Sequence, residues 1–223
     1  TVNANNNVII YGNVSTEGGS TFNADFDADG TGRFAIASGK TLASTDNKNI
    51  TITAGAIDFV GSLSSGTGST TLAISDGGTI GLGGTSGNMT ITGTELGRIT
   101  AGTLNIGNSS TGNMTVDGIS AGNSNNVAAV NLTTASGSSV NFSNNASIFK
   151  GLTVSAGNGI NQSVNLTTSS SIVLDSDSND NGAGNFSNTA GVISSGGNAV
   201  SITANEFGLS GSINSGTGTT KIL

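Results

Sequence analysis

Asp25, Asp27 and Asp29 stand at alternate positions in "DFDADG", with Gly30 directly after them. Three carboxylates leading into a flexible glycine form the opening of a loop that wraps calcium in oxygen ligands. An EF-hand loop would close with a carboxylate at its twelfth position, and that position holds Ile36, so this is not an EF-hand. The competing reading is a strand with Phe22, Ala24, Phe26 and Ala28 turned inward and the three aspartates turned to water. A second acidic cluster, Asp175, Asp177 and Asp180, lies in "LDSDSNDNG". Calcium is the one cofactor that either cluster calls for. "DGGTIGLGG" (Asp76 to Gly84) has the glycine content of the nonapeptide calcium repeat but no aspartate at the ligand place.

Other chemistry has little to draw on. The chain has no His, Cys, Trp or Pro, and its six cations (Arg33, Lys40, Lys48, Arg98, Lys150, Lys221) are scattered. Glycan-cleaving β-proteins need convergent acids with cations to stabilise developing charge, and nothing marks such a pair, so no enzyme is expected. Six Lys and Arg against 13 Asp and Glu cannot form a phosphate-tracking stripe, which argues against nucleic acid. Glu95 and Arg98 in "ELGR" are three apart, a spacing that lets them pair on one helical turn at a corner of the fold. "TxT" pairs such as Thr51/Thr53 and Thr90/Thr92 would bind ice only if every coil repeated them on one flat face, and most do not. N-x-S/T sequons, among them Asn88, Asn113, Asn131 and Asn165, are little more frequent than the composition alone produces.

The elements that must carry these residues are short. "ITITAGAIDF", "MTITG", "TLNIG", "MTVDG", "VNLTT" and "VSITA" each alternate apolar with polar residues, the period of a strand. Clusters of Gly, Asn, Ser and Asp punctuate them. No stretch has a helical period. Low charge and a modest apolar content raise the question of disorder, but the apolar residues gather into these β-prone runs rather than being diluted evenly.

The chain also repeats itself on two scales. "GNMTITG" at Gly87 to Gly93 returns as "GNMTVDG" at Gly112 to Gly118, which predicts one strand and corner stacked on successive coils, with Met89 and Met114 outward or at the corner. "VNLTT" at Val130 to Thr134 returns at Val164 to Thr168, a second repeated pair whose wider spacing allows one longer loop between the copies. On the longer scale, Asn49 to Leu72 returns as Ala199 to Ile222, and "DADGTGRF" as "NDNGAGNF", about 150 residues apart. In this mapping Ile50, Ile52, Ile57, Phe59 and Leu63 match Val200, Ile202, Phe207, Leu209 and Ile213, and Phe34 matches Phe186.

Short strands, self-similarity and glycine-rich corners predict an all-β fold, a right-handed parallel β-helix (β-solenoid) with roughly 20–25 residues per coil. Such a coil cannot bury its own apolar face, so each depends on its neighbours. Asn and Thr are expected to stack as hydrogen-bonded ladders between coils. The absence of Pro fits, since each strand pass needs its N–H donors. Residues 1–223 read as one β-solenoid segment of a longer protein, about one and a half copies of the ~150-residue repeat, each of roughly six coils.

"ITGTELGRITAGTLNIGNSSTGNMTVDGIS" (Ile91 to Ser120) resembles the recurring block of filamentous haemagglutinin-like proteins, large bacterial surface adhesins commonly exported by two-partner secretion. "DADGTGRFAIASGKTL" (Asp27 to Leu42) is a second block of the same kind. The resemblance implies a long β-helix, an extracellular or bacterial cell-surface location, and a structural role in adhesion. The partners it implies are neighbouring coils or copies of the same protein, a host or neighbouring-cell surface, and an outer-membrane exporter. The alternative is a self-assembling extracellular filament or sheath subunit.

Overall fold

The computed structural model describes all 223 residues. Its core architecture is a parallel β-helix, as the sequence predicts, with the chain passing ten times through one face. The strands of that first face are Val2–Asn3, Ser20–Asn23, Ile50–Ala54, Ser69–Ile74, Ile99–Gly107, Val127–Thr133, Leu152–Ser155, Ile172–Asp175, Val200–Thr203 and Thr220–Ile222. Coils 1 to 10 are numbered here by these strands. Every pairing between them is parallel, and one inward column runs Val2, Phe22, Ile52, Leu72, Ile106, Leu132, Val154, Leu174, Ile202, Ile222. The steps along that column vary from 20 residues (Val2 to Phe22) to 34 (Leu72 to Ile106). The surplus residues form corner loops or, in the longest step, an extra strand and a helical turn.

Two further faces complete the helix. The second carries Asn7–Ile10, Arg33–Ile36 and Ala56–Phe59 from coils 1 to 3 as one short sheet. A separate seven-stranded sheet, beginning with Met89–Ile91 and Ile80–Gly83, continues the face to Phe207–Leu209. The third face has strands in coils 1 to 3, continues into coil 4 through Ile99 and Thr100, which pair with Leu63 and Ser64, and resumes from Ser147–Phe149 onward. Between them, coils 4 and 5 place two single-turn helices, α1 (Gly93–Leu96) and α2 (Ala121–Ser124). The first face alone is continuous from end to end.

Alternation builds the core. Along Ile50–Ala54 the inward residues Ile50, Ile52 and Ala54 are fully buried while Thr51 and Thr53 are partly exposed. Stacking such strands joins 44 buried residues into a single apolar column that runs through the coils. Aromatic side chains pack edge-to-face at Phe22–Phe34 and Phe34–Phe59, and parallel at Phe186–Phe207. The expected polar ladders are present as well. Asn131 donates to Asn105 at 2.9 Å, Asn105 to Thr71 at 3.3 Å, and Asn161 to Asn141 at 2.9 Å, each between register partners.

Two sequence expectations about register are corrected. The "GNMT" strands do not lie directly on one another: Met89–Ile91 and Met114–Asp117 flank the strand Ile80–Gly83, so that Ile80 is the partner of both Met89 and Met114. Both methionines point inward and are fully buried, neither outward nor at a corner. After Gly83 the chain turns and lays a second parallel strand beside the first within one coil, which the repeat spacing could not reveal. The two "VNLTT" copies also differ in place. The first lies on the first face, in Val127–Thr133, and the second on the third face, in Leu166–Thr168.

The residues matched across ~150 positions do occupy equivalent strands. Ile52 and Ile202 share the first-face column six coils apart, and Phe34 and Phe186 both lie on the second face.

Candidate functional site

The acidic cluster of coil 2 sits where the chain leaves the first face and does not return directly to the second. Ala24 is the last ladder residue, its N–H donating to Thr53 O. The loop that follows is anchored on both sides: Phe26 N–H donates to Ala4 O of coil 1, and Gly55 N–H of coil 3 donates to Gly32 O. Gly55 is required there, since a Cβ would stand 2.4 Å from Gly30 O. Gly30 itself has φ +83°, a left-handed conformation that closes the turn.

This geometry overturns the simple strand reading of "FNADFDADG". Phe22 and Ala24 are buried as expected, but Phe26 is 58% exposed and Ala28 has φ +56°. Asp25 is the residue turned inward, with 1% of its surface exposed, whereas Asp27 and Asp29 face solvent. Asp25 Oδ2 accepts from Gly30 N–H at 2.9 Å and from the Ser75 hydroxyl of coil 4. Asp29 Oδ1 accepts from Thr31 Oγ1 at 2.7 Å and Thr31 N–H at 2.9 Å, and these bonds hold its carboxyl below the ordinary range. Carboxylate oxygens of Asp25, Asp27 and Asp29 lie within 4.8 Å of one another, which places all three within reach of one cation.

The second cluster is organised differently. Its loop is the six-coil counterpart of the first: Asp177 Oδ2 accepts from Gly182 N–H at 2.8 Å, as Asp25 does from Gly30. Ser178 N–H donates to Ala156 O, as Phe26 donates to Ala4. In this register the counterparts of Asp27 and Asp29 are Asn179 and Asn181, while Asp175 corresponds to Asn23 and Asp180 to Ala28. Asp175, Asp177 and Asp180 therefore do not converge on one point as the first trio does. Burial raises the Asp175 carboxyl above its ordinary value, with Asp180 and Asp177 adding like charge.

"ELGR" is a corner, as its interruption of the pattern indicates, but Glu95 and Arg98 do not pair with each other. Thr92 and Glu95 form a capping box on α1, with Glu95 N–H donating to Thr92 Oγ1 at 3.2 Å and Thr92 N–H donating to Glu95 Oε2 at 2.8 Å. Glu95 Oε1 then accepts from Phe59 N–H at 3.0 Å, and Arg98 Nη1 donates to Phe59 O. Phe59 is the last residue of the short second-face sheet, so two side chains replace the ladder bonds that its missing neighbour would supply. From α1 the connection runs on through Asn126 Nδ2 to Gly97 O, and through Ser124 Oγ of α2 to Ile148 O of the third face. Sequence spacing marked these residues but not their common target, which lies a coil away.

A groove of about 270 Å³ lies beside α2, lined in part by Ser124, Ile148, Phe149, Lys150 and Thr168. It contains one cation and no carboxylate. Arg33–Asp58, 2.9 Å and exposed, is the ion pair of the molecule. No helix is long and apolar enough to cross a membrane. Compared with known family models, curated proteins and solved structures, the chain shows no match, and the resemblance to filamentous haemagglutinin repeats rests on its own motifs.

Proposed function

We propose that this chain is a structural β-solenoid shaft of a large bacterial cell-surface or secreted adhesin. The observation that carries this reading is the first face, ten consecutive parallel passes without interruption. At about 4.8 Å per coil, nine steps extend the chain by roughly 43 Å, and further coils would add reach in proportion. The motif-grade block around "TELGRITAGTLNIG" supports the adhesin assignment, and the Cys-free, acidic composition suits export and an extracellular setting. The shaft would hold binding regions towards a host or neighbouring-cell surface after passage through an outer-membrane exporter.

A self-assembling filament or sheath subunit is the second reading. Ile222 and Leu223 are 48% and 59% exposed at one end of the ladder, and Val2 is 45% exposed at the other, so head-to-tail stacking would bury them. Electron microscopy of the purified parent protein separates the two. Rods of one defined length are expected of the adhesin shaft, and indefinite fibres would replace it with the filament reading. Adhesion is tested by coating beads with the parent protein and with a version lacking these coils. Loss of reach-dependent cell attachment is the expected result, and unchanged attachment would remove the role in adhesion.

A further inference from the structure

Asp25 has an oxygen with no partner. Oδ2 is filled by Gly30 and Ser75, but Oδ1 is enclosed and receives no donor, the one such side-chain atom in the molecule. A buried carboxylate left half-satisfied is costly, and each such case requires an explanation. Its counterpart six coils away has none of this deficit. Asp177 accepts from Gly182 N–H with one oxygen and from Asn181 N–H, at 3.2 Å, with the other.

We propose that Asp25, Asp27 and Asp29 bind a hard divalent cation, calcium, which completes the coordination of Asp25 Oδ1 and locks the coil 2 loop onto coil 4. Ligands on opposite sides of a calcium ion are about 4.6–5.2 Å apart, twice its usual Ca–O distance. The carboxylate oxygens of the three aspartates all lie within 4.8 Å of one another, no farther apart than the ligands of a single calcium ion can be. Asp76 adds negative charge next to the cluster, its Oδ2 lying 2.6 Å from where a Cβ on Gly30 would be. None of these four aspartates is neutralised by an ion pair. Calcium suits the site better than magnesium because the ligands come from a loop with one buried and two solvent-facing carboxylates, not from a rigid octahedral cage. Asp25 transmits the effect, since the same carboxylate holds Ser75.

The second loop explains why two positions matter. Asn179 there donates its amide to Ser136 O and Gly157 O, at 3.0 and 3.2 Å, making by hydrogen bonds a contact that a carboxylate cannot make. Asn181 Oδ1 accepts from Ala183 N–H at 2.9 Å. That loop is closed without a cation, and one site per chain is expected.

Isothermal titration of the chelator-treated chain with CaCl2 and, separately, MgCl2 tests the proposal, with thermal unfolding followed in parallel. The expected result is one calcium site, tighter than magnesium, with a melting temperature that rises with calcium until saturation. The double variant Asp27→Asn, Asp29→Asn copies the second loop onto the first and alters only solvent-facing side chains. It should be at least as stable as the wild type in chelator, where it relieves like-charge repulsion, yet bind calcium at least about tenfold more weakly and gain little melting temperature from it, because two charged ligands are gone. Asp180→Asn, in the second loop, should leave stoichiometry and affinity unchanged. No calcium heat and no thermal shift in the wild type would overturn the proposal, as would equal affinity in the double variant or a stoichiometry of two.

Discussion

Asp175 and Asn23 occupy the same place in two copies of one loop, and both accept a backbone N–H two residues on, Asp177 N at 3.2 Å and Asp25 N at 3.1 Å. The amide does this without charge, whereas the carboxylate is partly buried among other acids and its pKa is raised. A raised carboxyl pKa means that the folded chain binds the proton more tightly than the unfolded one. The ionised form therefore weakens the fold above the carboxylate range, and the penalty disappears as pH falls through it. Asp175→Asn should accordingly raise the melting temperature near neutral pH, with a gain that shrinks on acidification; thermal scans across pH check this. In the core, Gln162 and Asn188 are each 1% exposed and stack on the second face, Asn188 Nδ2 donating to Gln162 Oε1 and Asn188 Oδ1 accepting from Gly211 N at 2.6 Å. Gln162→Ala strands the Asn188 amide and opens a cavity, and should cost about 2–4 kcal/mol in denaturant unfolding.

At the scale of elements, α1 and α2 matter as connectors. Each is a single turn, too short to be stable alone, and each is held by a capping box, Thr92 with Glu95 and Ser120 with Asn123. They stand where the second and third faces are interrupted, and their side chains carry the hydrogen bonding across. Arg98→Ala leaves Phe59 O without its donor, and Glu95→Ala leaves Phe59 N–H without its acceptor while also removing the cap. The arginine variant should lose about 1–3 kcal/mol. The glutamate variant should lose about 1 kcal/mol more, for the cap. Denaturant melts of both, with the double variant, would measure the coupling through Phe59. "ELGR" was visible in the sequence as a break in the pattern, and the one-turn spacing of Glu95 and Arg98 was legible. Their shared hold on Phe59 was not, because it depends on a strand edge in the preceding coil.

For the whole molecule, stability in a stacked array is a sum of neighbour contacts, and the weakest interface decides where it divides. One such interface lies between coils 3 and 4, where the first and third faces stay paired but the second-face sheet is broken and the side chains of Glu95 and Arg98 stand in for it. With Arg98→Ala, hydrogen exchange should show the strands Asn7–Ile10, Arg33–Ile36 and Ala56–Phe59 losing protection before Val140–Phe142 and Ile160–Gln162. Uniform loss across all coils would place the weak point elsewhere. Period-two alternation, glycine-rich corners and the six-coil repeat were sufficient to predict a parallel β-helix, because each is a local property of the chain that stacking merely multiplies. The tertiary structure alone decided which strands share a face, that Met89 and Met114 flank Ile80, and that Asp25 turns inward while Phe26 turns out. The physical reason is the same in each case. A strand's alternation specifies two sides but not which neighbour lies beyond them, and where the chain leaves the ladder, burial is set by contacts one or two coils away.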